Sequence, residues 1–270
     1  MKRFLPPLLL GVLLALSACS PDAPAPTPVP TATPTVTPTV TAAPTPSATA
    51  PVPAAAPIWG VQEGAYRQTV PDEPATMLVE GRFTLPYVEN AAGVAAYTAI
   101  NGWYAQLLED LKGDVRDNVP LALDDYETAR SLEIPFIGYS DEEVCQVIYE
   151  SETTAAILRS HFAHSSGTFP TLLYLADRFD LKSGAPLGFA DFFADPAQAE
   201  AIILTEVKRQ GAEHPEYNQE TVASAFHREY FYPTEAGLLF FYQPLTLNDQ
   251  AAVKPEFLVP YGLLEGLLSR

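Results

Sequence analysis

The chain has 270 residues, a formal charge of −18 and 27 prolines. A phosphate backbone repels so acidic a surface, which argues against a nucleic-acid partner. Two cysteines, Cys19 and Cys145, are too few for a disulfide scaffold.

Residues 1–18 read as a leader. Lys2 and Arg3 precede an apolar run from Phe4 to Leu16, and the small residues Ser17 and Ala18 lead into Cys19. The run is shorter than the about 20 apolar residues that a membrane span needs, and Pro6-Pro7 interrupts it. The pattern resembles a lipoprotein signal. That resemblance implies cleavage before Cys19, a diacylglycerol on its thiol and an acyl chain on its new amino group, with the domain facing outward from the membrane. Two or more chains give stable anchoring where one does not.

From Ser20 to Pro57 the chain is almost entirely Pro, Thr, Ala and Val, with one charge, Asp22. It has no apolar face to bury, so it cannot offset the entropy of ordering. We expect a disordered, extended tether that reaches roughly 3.1 Å per residue, about 110 Å in all.

Residues 58–270 are long enough for one well-cored domain, with two subregions near 58–165 and 166–270. Leu78–Leu85 alternates with period two and predicts a half-buried strand. Asn90 is placed to cap a helix whose apolar face is Val94, Tyr97, Ile100, Tyr104, Leu107, Leu108, Leu111 and Val115. A second short helix is expected around Leu121–Ala129. Strand signals follow at Leu132–Tyr139, Val144–Glu150, Thr154–His164 and Thr171–Leu181. The turns between them are short, which predicts antiparallel pairing. Asp195-Pro196-Ala197-Gln198 has the chemistry of a helix start, and Gly211 closes that helix. Tyr230–Tyr232 and Leu238–Tyr242 flank Pro233–Gly237 as a hairpin. Phe257–Val259 reads as a last strand and Leu263–Leu268 as a last helix. Helices and strands are segregated, which predicts an α+β fold built on an antiparallel sheet with packed helices.

Several pieces resemble the extracellular domain of RsiV-type anti-sigma factors and the domain pair beside PdaC-type deacetylases. They are the helix with Ile100-Asn101, the Phe179–Gly184 turn, Leu187-Gly188-Phe189-Ala190-Asp191-Phe192-Phe193, Phe231–Leu238 and the terminal Phe257–Tyr261. The resemblance covers roughly Thr76–Leu268. It implies a non-catalytic binding module, with lysozyme, a cationic wall hydrolase, as the partner class. An enzyme acting on wall glycan and an accessory structural lipoprotein are the alternatives.

No catalytic or cofactor motif occurs. His161 and His164 have metal-like spacing only on a helix; in a strand, residues three apart face opposite ways. Asp177 and Asp180 fail the same test. We expect no metal and no cofactor. Cys145 lies within a strand signal and reads as a buried small hydrophobe. Asp124-Asp125 and Asp141-Glu142-Glu143 read as solvated charges at helix ends and turns. Asp141, Glu142, Glu143 and Asp249 are the candidate surface for a cationic partner. The aromatic set Phe226, Tyr230, Phe231, Tyr232, Phe240, Phe241 and Tyr242 reads most simply as core, with a ligand groove the alternative for those that face outward, as alternate hairpin positions must.

Overall fold

The computed structural model describes residues 55–249 and 253–269. The leader, Cys19 and the tether up to residue 54 lie outside the described residues. Ala55–Pro57 are held against the domain: the Tyr97 hydroxyl donates to the Ala55 carbonyl, Asn90 Nδ2 donates to the Ala56 carbonyl, and Pro57 is buried.

The fold is α+β, as the segregation of signals predicts. β1 (Trp59–Val70) and β2 (Glu73–Val88) form a hairpin in which Asp72 adopts a left-handed φ of 67°. Asp is among the few side chains that tolerate that region. α1 (Ala95–Asp117) and α2 (Val119–Ser131) follow, then β3 (Tyr139–Glu150), β4 (Thr154–His164) and β5 (Thr171–Asp180). The five strands lie in the order β1-β2-β3-β4-β5.

One expectation about the sheet is corrected. β2 and β3 run parallel, from Val79 opposite Tyr139 to Thr84 opposite Val144, so the sheet is mixed. The two intervening helices form a crossover, which returns the chain to the starting end of the sheet.

Three local readings also change. Asn90 does not cap α1. Val94 stands at that position, and Asn90 Oδ1 accepts from the backbone N–H of Ile58 instead. Residues 132–138 form no strand; Pro135 and Gly138 interrupt the run, and Leu132, Ile134 and Ile137 are exposed. The last helix is a short 3-10 turn, Tyr261–Leu264, after which Leu268 bridges to Phe193.

α1 lays Tyr97, Ile100, Tyr104, Leu111 and Val115 into a core with Leu78, Val79, Phe83 and Leu85 of β2. Burying each large apolar side chain there contributes about 1.5–3 kcal/mol. Gly81 leaves room for this contact: a Cβ there would sit 2.6 Å from the Phe83 ring and 2.9 Å from Val115.

A second core follows β5. α3 (Pro196–Gly211) starts as the sequence predicts, with Asp195 Oδ1 accepting from Gln198 N at 3.0 Å. The short α4 (Gln219–Ser224), capped by Asn218, has no counterpart in the sequence reading. β6 (Phe231–Pro233), β7 (Gly237–Phe241) and β8 (Glu256–Pro260) form a three-stranded antiparallel sheet. Phe189, Phe192, Phe193, Phe231, Phe240 and Phe257 fill this core. Of the aromatic set read as core, Phe231, Phe240, Phe241 and Tyr242 are buried, and Phe226, Tyr230 and Tyr232 are half-buried.

Three polar side chains tie the second core to β5. Arg178 donates to the carbonyls of Leu187, Glu229 and Phe231 at 3.1, 2.9 and 2.6 Å, and to the Glu229 carboxylate at 3.0 Å. Gln243 caps the sheet edge: its Oε1 accepts from Tyr174 N at 2.8 Å and its Nε2 donates to Tyr174 O at 2.7 Å. Lys254 is paired with Glu256 and lies over the rings of Tyr174, Tyr232 and Phe241.

Candidate functional site

The register of β3, β4 and β5 places opposed residues on the same side of the sheet. Glu143 faces His161, Cys145 faces Arg159, Asp141 faces Ala163, and Ile157 faces Asp177. Alternation therefore puts Asp141, Glu143, Cys145, Arg159, His161 and Asp177 on one face. Tyr104 and Trp103 of α1 meet that face, so a charged network lies under the helix.

Glu143 is the centre of the network and is 0 % exposed. Its Oε1 accepts from Arg159 Nε at 2.6 Å and its Oε2 pairs with His161 Nδ1 at 2.9 Å. Arg159 also reaches Asp177 at 3.6 Å and stacks over the Trp103 ring. Asp177 accepts from the Tyr104 hydroxyl at 3.1 Å. At the other end, His161 Nε2 lies 3.7 Å from Asp141 Oδ2.

The protonation tendencies follow from this geometry. Burial works to raise Glu143, but the His161 hydrogen bond and the Arg159 charge outweigh it and hold the carboxyl below its ordinary value. His161 is raised, chiefly by its bond to Glu143 and against its own burial, with Asp141 adding to the effect. Asp141 is raised by burial and by the nearby Glu143 charge, with His161 opposing. Asp177 is raised by burial, with Arg159 opposing. Burial and the Glu143 charge push the Cys145 thiol far up, so it stays protonated and makes a poor nucleophile. Arg178 is lowered to about 10 by burial and remains charged at neutral pH.

Beyond Asp141 the same face opens into a hollow of about 160 Å³. Val79 and Tyr139 come from the sheet, Val115 and Leu121 from the helices, and Phe169 from the β4–β5 turn. Asp141 is the acidic side chain of its wall on this face, since Glu80, opposite Ser140 in the register, points to the other face of the sheet; no lysine or arginine lines the hollow, and His164 lies at its edge. Glu80 is already paired with Arg82 at 2.7 Å. Asp141 Oδ1 is buried and has no hydrogen-bond partner among the described residues. Phe169 is 94 % exposed and Leu121 54 %, so the mouth has an apolar lip.

No family model matches the sequence, and no curated protein matches it significantly. Solved structures do match. A DUF3298 family member from Bacteroides fragilis NCTC 9343 superposes with a TM-score of 0.62 at 15% identity, covering 79% of this chain and 94% of its own. A DUF3298 family protein from Pseudomonas aeruginosa PAO1 gives 0.54 at 12% identity, with the same coverages, 79% and 94%. This chain shares their fold. At such identities the likeness carries no site residues.

The four candidates for a partner surface are divided by the DUF3298-like fold. Glu142 and Asp249 are exposed. Glu143 is fully buried, which removes it from any partner surface, and Asp141 lies inward with His161. The reason is that residues 141–143 belong to β3, not to a turn, so alternate side chains face the core. Asp125 is likewise more than a solvated charge, since its Oδ2 accepts from the Tyr139 hydroxyl at 2.6 Å. Asp180 Oδ1 accepts from Lys182 N and Ser183 N, an Asx turn at the end of β5. His161 and His164 face opposite ways, and no set of three metal-ligating side chains converges among the described residues.

Arg159 and Trp103 were absent from the sequence-derived candidates. A signal was available: Asp141-x-Glu143 and Arg159-x-His161 are opposite charges at period two on strands separated by a short turn. Facing strands bring such pairs together.

Proposed function

We propose that this chain is a lipid-anchored, extracytoplasmic binding module of the RsiV-type extracellular kind. Its partner is a cationic wall-associated or host protein, with lysozyme the first candidate. It catalyses no reaction of its own. One observation carries the reading: the converging carboxylates on β3–β5 are matched by Arg159 and His161, whereas the hollow beside them is acidic, apolar at the lip and lined by no lysine or arginine. A carboxylate whose two oxygens are both engaged, as in Glu143, is a weak base and nucleophile. A surface with excess negative charge attracts basic partners over the Debye length. The leader pattern ending at Cys19 supports the anchor, and no described helix is long and apolar enough to cross a membrane.

A wall-glycan hydrolase is the second reading, favoured by one observation. Asp141 lines the hollow, and burial raises it as a general acid requires. Against it, Glu80, the other acidic residue at the hollow, points to the opposite face of the sheet and pairs with Arg82, so no second carboxylate faces Asp141 across it. The test is surface-immobilised chain exposed in parallel to a lysozyme, to an acidic protein of similar size and to soluble wall glycan. Saturable capture of the lysozyme alone supports the module. Cleaved glycan, lost on Asp141→Asn, supports the hydrolase and overturns the module.

A further inference from the structure

We infer that the free edge of β1 is a self-association surface. Two copies of this chain join β1 to β1, antiparallel, about a two-fold axis at Ala65, so that one sheet continues across the dimer. The inference stands apart from the cationic-partner reading and rests on the backbone of the sheet and on two charges.

β1 is an end strand of the sheet, and its ladder to β2 is regular from Trp59 to Gln68. Ile58 fixes the phase of that ladder. Its carbonyl accepts from Glu89 N at 2.8 Å and its N–H donates to Asn90 Oδ1 at 2.8 Å, so its backbone groups point toward β2. Such groups alternate along an antiparallel strand, so Val61, Glu63, Ala65 and Arg67 turn their N–H and C=O to the free edge. Among the described residues, no hydrogen bond reaches those groups from outside the ladder. No proline, lysine or bulge interrupts Val61–Arg67, and such an edge is a template for another strand. The opposite edge of the sheet is covered. Gln243 engages both backbone groups of Tyr174, Leu187 N donates to the Arg178 carbonyl at 2.7 Å, and Asp180 N donates to the Ala185 carbonyl at 3.0 Å. Pairing is therefore confined to β1 of each copy, which closes a dimer and excludes an open fibre.

The side chains select both the occupant and the register. Val61, Glu63, Ala65 and Arg67 are exposed, on the face away from α1. On the other face a Cβ on Gly64 would strike Leu108, and Arg116 of α1 lies over the Tyr66 ring. Glu80, opposite Arg67 on β2, is taken by Arg82, and neither Glu63 nor Arg67 makes an ion pair among the described residues. Two strands that meet at free edges set outward-pointing residues opposite one another. Centred on Ala65, the pairing sets Glu63 opposite Arg67 of the second copy, and the two-fold axis repeats that pair. Opposite charges facing across a ladder stabilise it, and like charges destabilise it. Centring on Glu63 or on Arg67 sets that charge against itself, and centring on Gly64 or Tyr66 leaves both charges opposite neutral residues. A foreign strand without the matching charges is disfavoured, so the edge is specific for its own copy. The two Trp59 residues then stand on the order of 40 Å apart, from the rise per residue of a strand. A tether that reaches roughly 110 Å spans that separation with ease.

The experiment is sedimentation equilibrium of the full chain from micromolar to submillimolar concentration. The mass should rise with concentration to that of two copies and no further. Glu63→Arg and Arg67→Glu each set like charges opposite one another at both symmetry-related sites, and each should weaken the dimer by about tenfold. Mixed together, the two variants should pair with one another, because each presents the sign that the other lacks. That rescue is particular to the register centred on Ala65. Ala65→Pro removes an outward N–H on the axis without taking a bond from the β1–β2 ladder, and should abolish the dimer. If Ala65→Pro does not fold, the two charge variants decide, since both positions are exposed. A mass that stays at one copy throughout would overturn the inference. So would a dimer that ignores both charge reversals, or variants that stay single when mixed. Capture of a foreign extended peptide along β1 by a chain that remains single would also overturn it and assign the edge to another protein.

Discussion

His161 Nδ1 lies 2.9 Å from Glu143 Oε2, on the helix-covered face of the sheet, and Arg159 holds the other oxygen of the same carboxylate at 2.6 Å. The pair makes stability depend on pH. The pKa of His161 is raised in the fold, so its contribution is whole below the ordinary histidine value of about 6.5 and is lost as pH climbs through the raised value. Glu143 is lowered, so its contribution is present above about pH 4.3 and is lost as pH falls through the lowered value. Urea unfolding should show stability falling from pH 6 to pH 8, and His161→Gln should flatten that fall. An unchanged slope in the variant would place the titration elsewhere.

Breaking the network from its centre should be costly. Glu143→Ala leaves Arg159 and His161 without their shared carboxylate in a buried site, which costs about 3–5 kcal/mol. Replacing both Glu143 and Arg159 by apolar residues of similar size should cost less than the sum of the two single replacements, because the ion pair leaves together and only Asp177 and His161 lose a partner. Chemical denaturation of the single and double variants measures these values. A double variant that costs as much as the sum of the singles would contradict the account.

Arg178 is 5 % exposed and links β5 to the second core through three carbonyls and Glu229. Arg178→Met strands those acceptors and should cost roughly 3–5 kcal/mol. Amide exchange should rise first at Phe231 and Leu187, whose carbonyls the guanidinium holds. Uniform exchange across both cores would instead mean that Arg178 acts on the whole fold.

Cys19→Ala should abolish lipid labelling of the chain and leave the leader attached, as the Leu16–Cys19 pattern requires. Normal labelling of that variant would remove the lipoprotein assignment.

Much of this fold is legible in the residues. Thr154–His164 forms the strand expected there, and Asp195 with Gln198 starts α3 through the expected cap. The misreadings have physical causes. β1 escapes notice because Trp59–Val70 interleaves glycine and polar residues, and it gains its apolar contacts from α1 and the hairpin, not from its own pattern. Ile134, Phe136 and Ile137 imitate a strand, yet Pro135 and Gly138 keep them out of one. The site was hardest to read. Three successive acidic residues look like a solvated turn until β4 supplies Arg159 and His161 opposite them, and local composition does not register such a partner. The hollow depends on α1, α2 and the β4–β5 turn meeting, a tertiary fact with no sequence period.

The most direct test of the central claim is the association rate of a lysozyme with the immobilised chain at about 0.01 M and about 0.15 M salt, where the Debye lengths are about 30 and 8 Å. An acidic surface that recruits a cationic partner predicts a rate that falls clearly at the higher salt, and falls further with Glu142→Lys. No capture at micromolar lysozyme, or a rate that ignores both salt and that substitution, would contradict it.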